Sequence, residues 1–414
     1  MKVLAAMSGG VDSAVAAARA AEAGYEVVGV HMALSKNRDQ TRSGSRGCCT
    51  VEDASDARRA ADRIGIPYYV WDLSDDFHDL VVEDFLSEYA AGRTPNPCVR
   101  CNERIKFATL MDRARLLGFD AVCTGHYASI RTDGPDGAPS LHRSRNMAKD
   151  QSYVLAVMGP DAVGRSLFPL GEYETKEEVR AEARARGLGV STKPDSYDIC
   201  FVADGDTQGF LERNLGASPG EILDADGSVI GSHQGTHGFT IGQRKGLGIQ
   251  HPAADGAPRY VVDIDPSSRQ VVVGAAELLS TRELIATDVI SFEPLSVGRE
   301  VRAQIRAHGE ATPARLLEVP TDATVPATTA DSAAAGATAD SAATGAAATG
   351  AAATGATATG AAATGAGTDP DAPTADSSLR VSLETPIRGV APGQTLVLYD
   401  GDRVIAAATL ERRA

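Results

Sequence analysis

The sequence predicts an α/β protein: an N-terminal doubly wound parallel sheet, then a small β-rich connecting domain, then a C-terminal β-barrel. Three observations carry that expectation. Up to about residue 204, short apolar strands alternate with helices, the pattern of a parallel sheet covered on both faces. From Gly205 to about residue 275 the pattern changes to short strands broken by Gly and Pro. Beyond residue 276, runs that alternate apolar and polar residues flank an Ala/Gly/Thr tract at about 320–378.

Composition sets the bounds. A chain of 414 residues is long enough for two or three domains, each with its own core. A formal charge of −15 argues against a generally basic nucleic-acid binder. Six of the acids (Asp322, Asp331, Asp340, Asp369, Asp371, Asp376) fall in the tract, which has no Lys or Arg, so a local basic face elsewhere is compatible with the total. No apolar run reaches membrane-spanning length, and the start is too short in apolar residues for a signal peptide, so a cytoplasmic, membrane-free protein is expected. Cysteines at 48, 49, 98, 101, 123 and 200 are sparse, which fits catalytic or metal-binding thiols better than a disulfide scaffold.

The elements follow in order. Lys2 to Met7 reads as a buried strand and Ala14 to Ala23 as a helix, with Gly24 as its C-cap. Between them, Ser8-Gly9-Gly10-Val11-Asp12-Ser13 joins strand to helix through a glycine pair. That order makes an anion site, because successive N–H groups and the helix dipole point into one concavity. Asp12 in such a loop calls for an offsetting group, a bound metal ion or a donor on the substrate. The loop lacks the G-x-x-x-x-G-K-[ST] pattern and its phosphate-binding lysine. Ser, Gly and Asp also suit an ordinary strand–turn–helix connection, so this loop alone leaves both readings open.

Glu26 to Leu34 is a second strand. Ser35 to Gly47 reads as a mobile loop, and Cys48-Cys49 precede a capping box at Thr50 and Asp53 that starts a helix to Ile64. Pro67 to Leu73 is a strand, Asp75 to Ala91 and Ile105 to Leu117 are helices, and Phe119 to Thr124 is a strand. Ligands of such sheets lie beyond the strand carboxyl ends, which sets Ser8–Ser13, His31-Met32 and Gly125-His126 along one rim. An adenine against Met32, with Gly125 allowing close approach, is one reading; a core methionine is the other.

Gly92 to Asn102 holds two prolines and predicts an extended path. Its Cys98 and Cys101 are flanked by Arg93, Arg100 and Arg104, which would favour the thiolate. A nucleophile and half of a metal site are both open readings. Arg143 to Val157 is basic and then helical, with Lys149, Asp150 and Gln151 placed to meet a phosphate backbone and a base edge. Lys176 to Arg186 is a charged helix. Farther on, a hairpin turns at Asp226-Gly227, and Gly242 to Gly248 offers Arg244 and Lys245 on a glycine-rich loop. Strands at Arg259–Asp265 and Gln270–Gly274 complete the connecting domain, and those of 285–319 and 379–414 make the barrel. Thr-Gly recurs every five residues from Thr344 to Thr364 in the tract, which lacks large side chains; it predicts a disordered insertion.

Seven motifs stand in one order: Ala6 to Ser13, Gly92 to Pro97, Cys101-Asn102, Thr124 to Tyr127, Lys149 to Tyr153, Asp198 to Phe201 and Gly242 to Gly248. Together they resemble the tRNA-specific 2-thiouridylases, members of the PP-loop ATP pyrophosphatase superfamily that thiolate the wobble uridine of tRNA. The likeness spans the chain outside about 320–378. It implies that Ala6, Met7, Ser8, Gly9, Gly10, Val11, Asp12 and Ser13 hold ATP, with Met32 and Gly125 completing the nucleotide site. It makes Cys101 the nucleophile and Cys200 the persulfide carrier, with a Cys101–Cys200 disulfide forming in turnover. It places Asn96, Pro97 and Cys98 at the target base, His126 beside the active site, Lys149, Asp150 and Gln151 on tRNA, and Arg306, Ala307 and Gln394 near further tRNA contacts. ATP with Mg²⁺, a tRNA carrying an unmodified wobble uridine, and a persulfide donor (a cysteine desulfurase or sulfur-relay protein) are the implied partners of a monomer with no protein-bound metal. Because Cys98 adds a third thiol, an iron–sulfur cluster on Cys98, Cys101 and Cys200 is the alternative. An ATP-dependent amide ligase would use the loop but not the cysteine pair, and a non-catalytic RNA-binding protein would need neither.

Overall fold

The computed structural model describes residues 1–35, 50–194, 199–202, 205–249, 256–321 and 378–412. The expected loop after Ser35, Cys48, Cys49, Asp198 and the Ala/Gly/Thr tract lie outside the described residues. Strands β1 (Lys2–Ala6), β2 (Glu26–Ala33), β3 (Tyr68–Asp72) and β4 (Ala121–Cys123) are parallel, and Ser166–Leu167 adds a fifth. Their order, β3-β2-β1-β4 and then Ser166–Leu167, reverses direction between β1 and β4. Such a switch point opens a crevice at the strand carboxyl ends.

Alternation along β1 explains why both faces are covered. Leu4 and Ala6 join one core with Val30 and Val122, whereas Val3 and Ala5 face another with Val27 and Cys123. Helix α1 (Val11–Glu22) presents Ala14, Ala16, Ala17 and Ala20 to the second core, and these small side chains let it lie close to the sheet. Helix α2 (Val51–Ile64) begins at the expected capping box, with Thr50 Oγ1 accepting from Asp53 N. Two longer helical runs follow, α3 (residues 74–90) and α4 (residues 97–116), each with a π-helical stretch, His78–Val82 and Cys101–Thr109. Helix α5 (Lys176–Ala185) crosses back over α1.

The path of Gly92 to Asn102 departs from expectation. It is helical from Pro97, because Asn96 caps the helix with Oδ1 accepting from Cys98 N and Val99 N. Proline is well suited to the first helical position, where its missing N–H has no partner to lose. A second unanticipated element is the hairpin Ala128–Arg131 with Ser140–Arg143. It leaves the catalytic domain and joins the last barrel strand through the pair Arg403 and His142.

The connecting domain is a four-stranded sheet built from Gly220–Asp224, Val229–His233, Tyr260–Asp265 and Gln270–Gly274. Six antiparallel strands then close a barrel: Ser280–Ser291, Glu300–Gln304, Thr312–Glu318, Leu379–Arg388, Thr395–Asp400 and Arg403–Leu410. The last pairs with the first, so no edge is left open. The barrel is fastened to the catalytic domain by a shared core, in which Val397, Tyr399, Val404 and Ala407 pack with Leu4, Leu141 and Tyr153. Among the described residues, no helix is long and apolar enough to cross a membrane.

Candidate active site

Beyond β1 the chain turns through Ser8 to Gly10 into the first turn of α1. Ser8 N donates to Ser13 Oγ at 3.1 Å, and Ser13 Oγ donates to Gly10 O at 3.1 Å, so the loop is cross-braced. Gly9 has φ +80°, and a Cβ there would stand 2.2 Å from Asp53 O at the start of α2. Backbone approach of this kind is open to glycine alone.

Asp12 has protein partners on both carboxylate oxygens. Lys176 Nζ lies 2.5 Å from its Oδ2, and Tyr127 donates its hydroxyl to Oδ1 at 2.8 Å. The expected need for a metal or substrate donor is therefore met from α5, 164 residues away in sequence. With Asp12 neutralised, the loop N–H groups and the α1 dipole are left to favour an anion. A second lysine, Lys193, ties the loop down by donating to Gly9 O, Asp53 and Asp56. Neither lysine was legible as a loop residue; an acid in an anion site was the one signal, and it named a charge without an address.

Gly125, at the end of β4, packs on the loop itself. A Cβ there would sit 2.6 Å from Asp12 C and Ser13 N, so its smallness serves the seating of α1 against β4. His31 donates from Nδ1 to Met7 O at 2.9 Å, which leaves Met32 as the rim residue of β2. Met32 is half-buried and packs against two hydrophobic clusters, one under the sheet and one that contains the cysteines. His126 is buried between Phe107 and Phe168. Burial, and secondarily the charge of Lys106, hold its pKa well below the usual imidazole value, so it is neutral. Lys106 donates to Nε2 at 3.4 Å, which puts the ring proton on Nδ1, donated to Thr124 Oγ1 at 2.7 Å.

Cys101 is buried and Cys98 exposed at the head of α4. Cys200 is half-buried in the segment 199–202, which Phe201 anchors by ring contacts to Phe77, Phe85 and Phe210. Cys101 and Cys200 thereby pack in one hydrophobic cluster with Leu34, Phe85 and Ile105. None of the four described cysteines is in a disulfide. The fourth, Cys123, is sealed in the core, and burial pushes its thiol up to about 12, so it is inert. The arginines that flank Cys98 and Cys101 are not bare cations. Arg93 is held by Glu88, Arg100 by Glu103 and Asp84, and Arg104 by the same two acids. Their pull on either thiol is correspondingly reduced, a correction to the expected activation. Among the described residues, no three His, Cys, Asp or Glu side chains stand together as a metal site.

The remaining expected contacts are scattered in role. Asn96 caps α4, with Pro97 and Cys98 in its first turn. Lys149 is half-buried at the 146–151 turn. Asp150 accepts from Ser144 N, Ser152 N and Ser152 Oγ, and Gln151 braces Tyr127 N. These two side chains build the turn rather than project from it. Arg306 donates to Arg388 O and Gly389 O, and Ala307 packs on the core under the barrel. Gln394 lies in the loop that docks on α4's entry, where Thr94 N donates to Pro392 O at 2.8 Å.

Comparison with known proteins agrees with this geometry. Residues 1–204 match the family profile described as a tRNA methyl transferase HUP domain, residues 208–275 the PRC-barrel domain of the same series, and residues 372–410 an aminomethyltransferase beta-barrel domain. The tRNA-specific 2-thiouridylase of Beutenbergia cavernae is 56% identical over 99% of this chain and 94% of its own. That of Kineococcus radiotolerans is 55% identical over 99% and 98%, and that of Streptomyces avermitilis 52% identical over 99% and 94%. Identity at this level over nearly the whole of each chain means that the chain belongs to the tRNA-specific 2-thiouridylase family.

Proposed function

We propose that this protein converts the wobble uridine of tRNA to 2-thiouridine, with ATP as activator and a persulfide on Cys200 as sulfur source. One observation carries the reading: Cys101 and Cys200, far apart in sequence, share a hydrophobic cluster that Met32 connects to the nucleotide rim. The 2-oxygen of uridine attacks the α-phosphorus of ATP, and pyrophosphate leaves into the N–H groups of Gly9 to Ser13. The outer sulfur of the Cys200 persulfide then attacks C2, and the C–O bond breaks with AMP departing. The Cys101 thiolate attacks Cys200 Sγ, and the electron pair of the broken S–S bond stays with the sulfur on C2. A Cys101–Cys200 disulfide results, and a cellular thiol supplies the two electrons that reopen it.

Asp12 is already engaged by Lys176 and Tyr127, so the loop offers no free carboxylate to a resident metal. Magnesium enters with ATP as part of the substrate. Cys98, Cys101 and Cys200 do not form a three-ligand set here, so the residues do not fit an iron–sulfur cluster and the chemistry above uses two thiols. Asn96 to Cys98 lie next to the barrel loop at Gln394, through Thr94 N on Pro392 O, and we assign them and Lys149 to contact with a flipped uridine and its tRNA. A single-stranded anticodon makes flipping inexpensive. We place the reaction in the cytoplasm.

The test is a reaction of the full-length protein, loaded with persulfide, with ATP and unmodified tRNA. Nucleoside mass spectrometry should find 2-thiouridine, in step with AMP and pyrophosphate. Cys200→Ala should abolish the thionucleoside yet still release pyrophosphate. Normal thiolation by Cys200→Ala would overturn the proposal.

A further inference from the structure

The anion loop lacks a lysine of its own, and the two lysines that reach it, Lys176 and Lys193, are held by carboxylates. Lys106 differs. It is half-buried, its hydrogen-bond partner is the neutral imidazole of His126, and among the described residues no Asp or Glu lies within ion-pair distance of it. Among the described residues, no carboxylate therefore cancels its charge. Its position is also particular. His126 follows Gly125, which sits on the backbone of Asp12 and Ser13 at the switch-point crevice. On its own element, Lys106 lies in the π-helical stretch that begins at Cys101. The i→i+5 hydrogen bonds of a π-helix widen the turn, so residues five apart lie nearer one side than they would in an α-helix. Lys106 thus shares the π-helical stretch with Cys101, and its partner His126 follows the glycine that packs on the nucleotide loop.

We propose that Lys106 is the cation that binds the phosphate of the adenylated uridine and of the departing AMP, between the loop that takes pyrophosphate and the cysteines that deliver sulfur. This deepens the function proposed above and rests on it. His126 is the positioning residue. Burial, together with the adjacent ammonium, keeps it neutral. It therefore accepts from Lys106 without offsetting its charge, and Thr124 fixes the ring. A carboxylate in its place would have neutralised the lysine before substrate arrived. An ammonium aimed at charge that develops in the transition state acts on kcat more than on ground-state binding.

The decisive variant is Lys106→Gln, whose amide can still donate to His126 Nε2 while carrying no charge. Two readouts are taken on the full-length protein: thiolation kinetics, and affinity for AMP relative to adenosine. Lys106→Gln should lower kcat by about 10²-fold, the scale for losing one preorganised donor, with KM for ATP moving far less. The preference for AMP over adenosine should fall by about tenfold, and Lys106→Arg should recover much of both effects. A cationic role moves the AMP-to-adenosine ratio; a purely structural one would not. If the wild type thiolates tRNA while Lys106→Gln keeps its kcat and AMP preference, this inference falls and the function stands. If the wild type makes no 2-thiouridine but Lys106→Gln still loses its AMP preference, the function falls and the phosphate contact stands. Should Lys106→Gln not fold, Lys106→Met is read the same way against Lys106→Arg.

Discussion

Replacing Gly9 by Ala tests whether the loop's position is set by its contact with α2. The new Cβ would lie 2.2 Å from Asp53 O and 2.8 Å from Asp53 C, where ordinary contact begins at 3.4 Å. Asp53 cannot retreat easily. Its carboxylate accepts from Thr50 N and Oγ1, and Lys193 grips it at 2.5 Å. The loop must therefore move by about 1 Å, and a displacement of that size at reacting groups can lower a rate about 10²-fold. The left-handed φ adds about 1–2 kcal/mol of instability for a residue with a Cβ. Gly24→Ala separates the two effects, because Gly24 has φ +82° and nothing within 4 Å of a Cβ. Both variants should lose about 1–2 kcal/mol in urea titrations. Only Gly9→Ala should also lose tRNA-dependent pyrophosphate release, by about 10²-fold. If Gly9→Ala releases pyrophosphate as fast as Gly24→Ala, the loop tolerates the shift and the reasoning fails.

Three further outcomes follow from the same geometry. Lys176→Met exposes Asp12's charge to ATP phosphates and should weaken ATP binding on the order of tenfold, about 1.4 kcal/mol. Adding Asp12→Asn should restore part of that binding in a double-mutant cycle, and strict additivity in calorimetry would deny the coupling. Glu182 joins α5 to α1: burial opposes its charge, but hydrogen bonds from Arg19, Tyr173 and Arg186 outweigh this and hold its pKa at about 2. A depressed pKa means that the stabilisation is complete above the ordinary carboxylate range and disappears as pH falls from about 4.5 toward 2, so Glu182→Gln should flatten urea midpoints over that window, and a parallel pH profile would contradict it. Finally, Glu318 and Arg380 are register partners on adjacent barrel strands, so the chain leaves and re-enters at neighbouring points. Deleting residues 325–372 should leave thiolation intact, and a folded but inactive deletion would show that the tract has a role in the reaction.

What could be read in the sequence was local. The order strand, glycine pair, helix lies within a dozen residues, and its chemistry follows from that order. The α2 capping box and the Asp226-Gly227 turn are likewise complete in a few positions. What escaped was partnership across the fold. Asp12 announced a missing positive charge, but nothing near it pointed to Lys176. The arginines around Cys98 looked like thiolate-stabilising cations because Asp84 and Glu88, on a preceding helix, could not be placed beside them. The π-helical stretch Cys101–Thr109 has no composition that distinguishes it from an α-helix. Proline misled at Pro97, since the same residue that breaks a helix interior starts one.

All of those misses but Lys176 cluster at the entry to α4, where the catalytic domain, the connecting sheet and the barrel meet. Gly92 lies against Pro266 and Ile264 of the connecting sheet. Thr94 N is held by Pro392 O of the barrel, and Arg93 by Glu88 of α3. The segment that carries Asn96, Cys98 and Cys101 is thus positioned from three sides by elements remote in sequence, and the nucleotide loop is held by a different set of remote partners, Asp53 at the start of α2, Lys176 of α5, Lys193 and Tyr127. The glycine loop and the cysteine segment are accordingly held by separate sets of contacts. A load on the barrel or the connecting sheet acts directly on the cysteine helix, and it also reaches the nucleotide loop through Tyr127, which donates to Asp12 and precedes the hairpin joined to the last barrel strand.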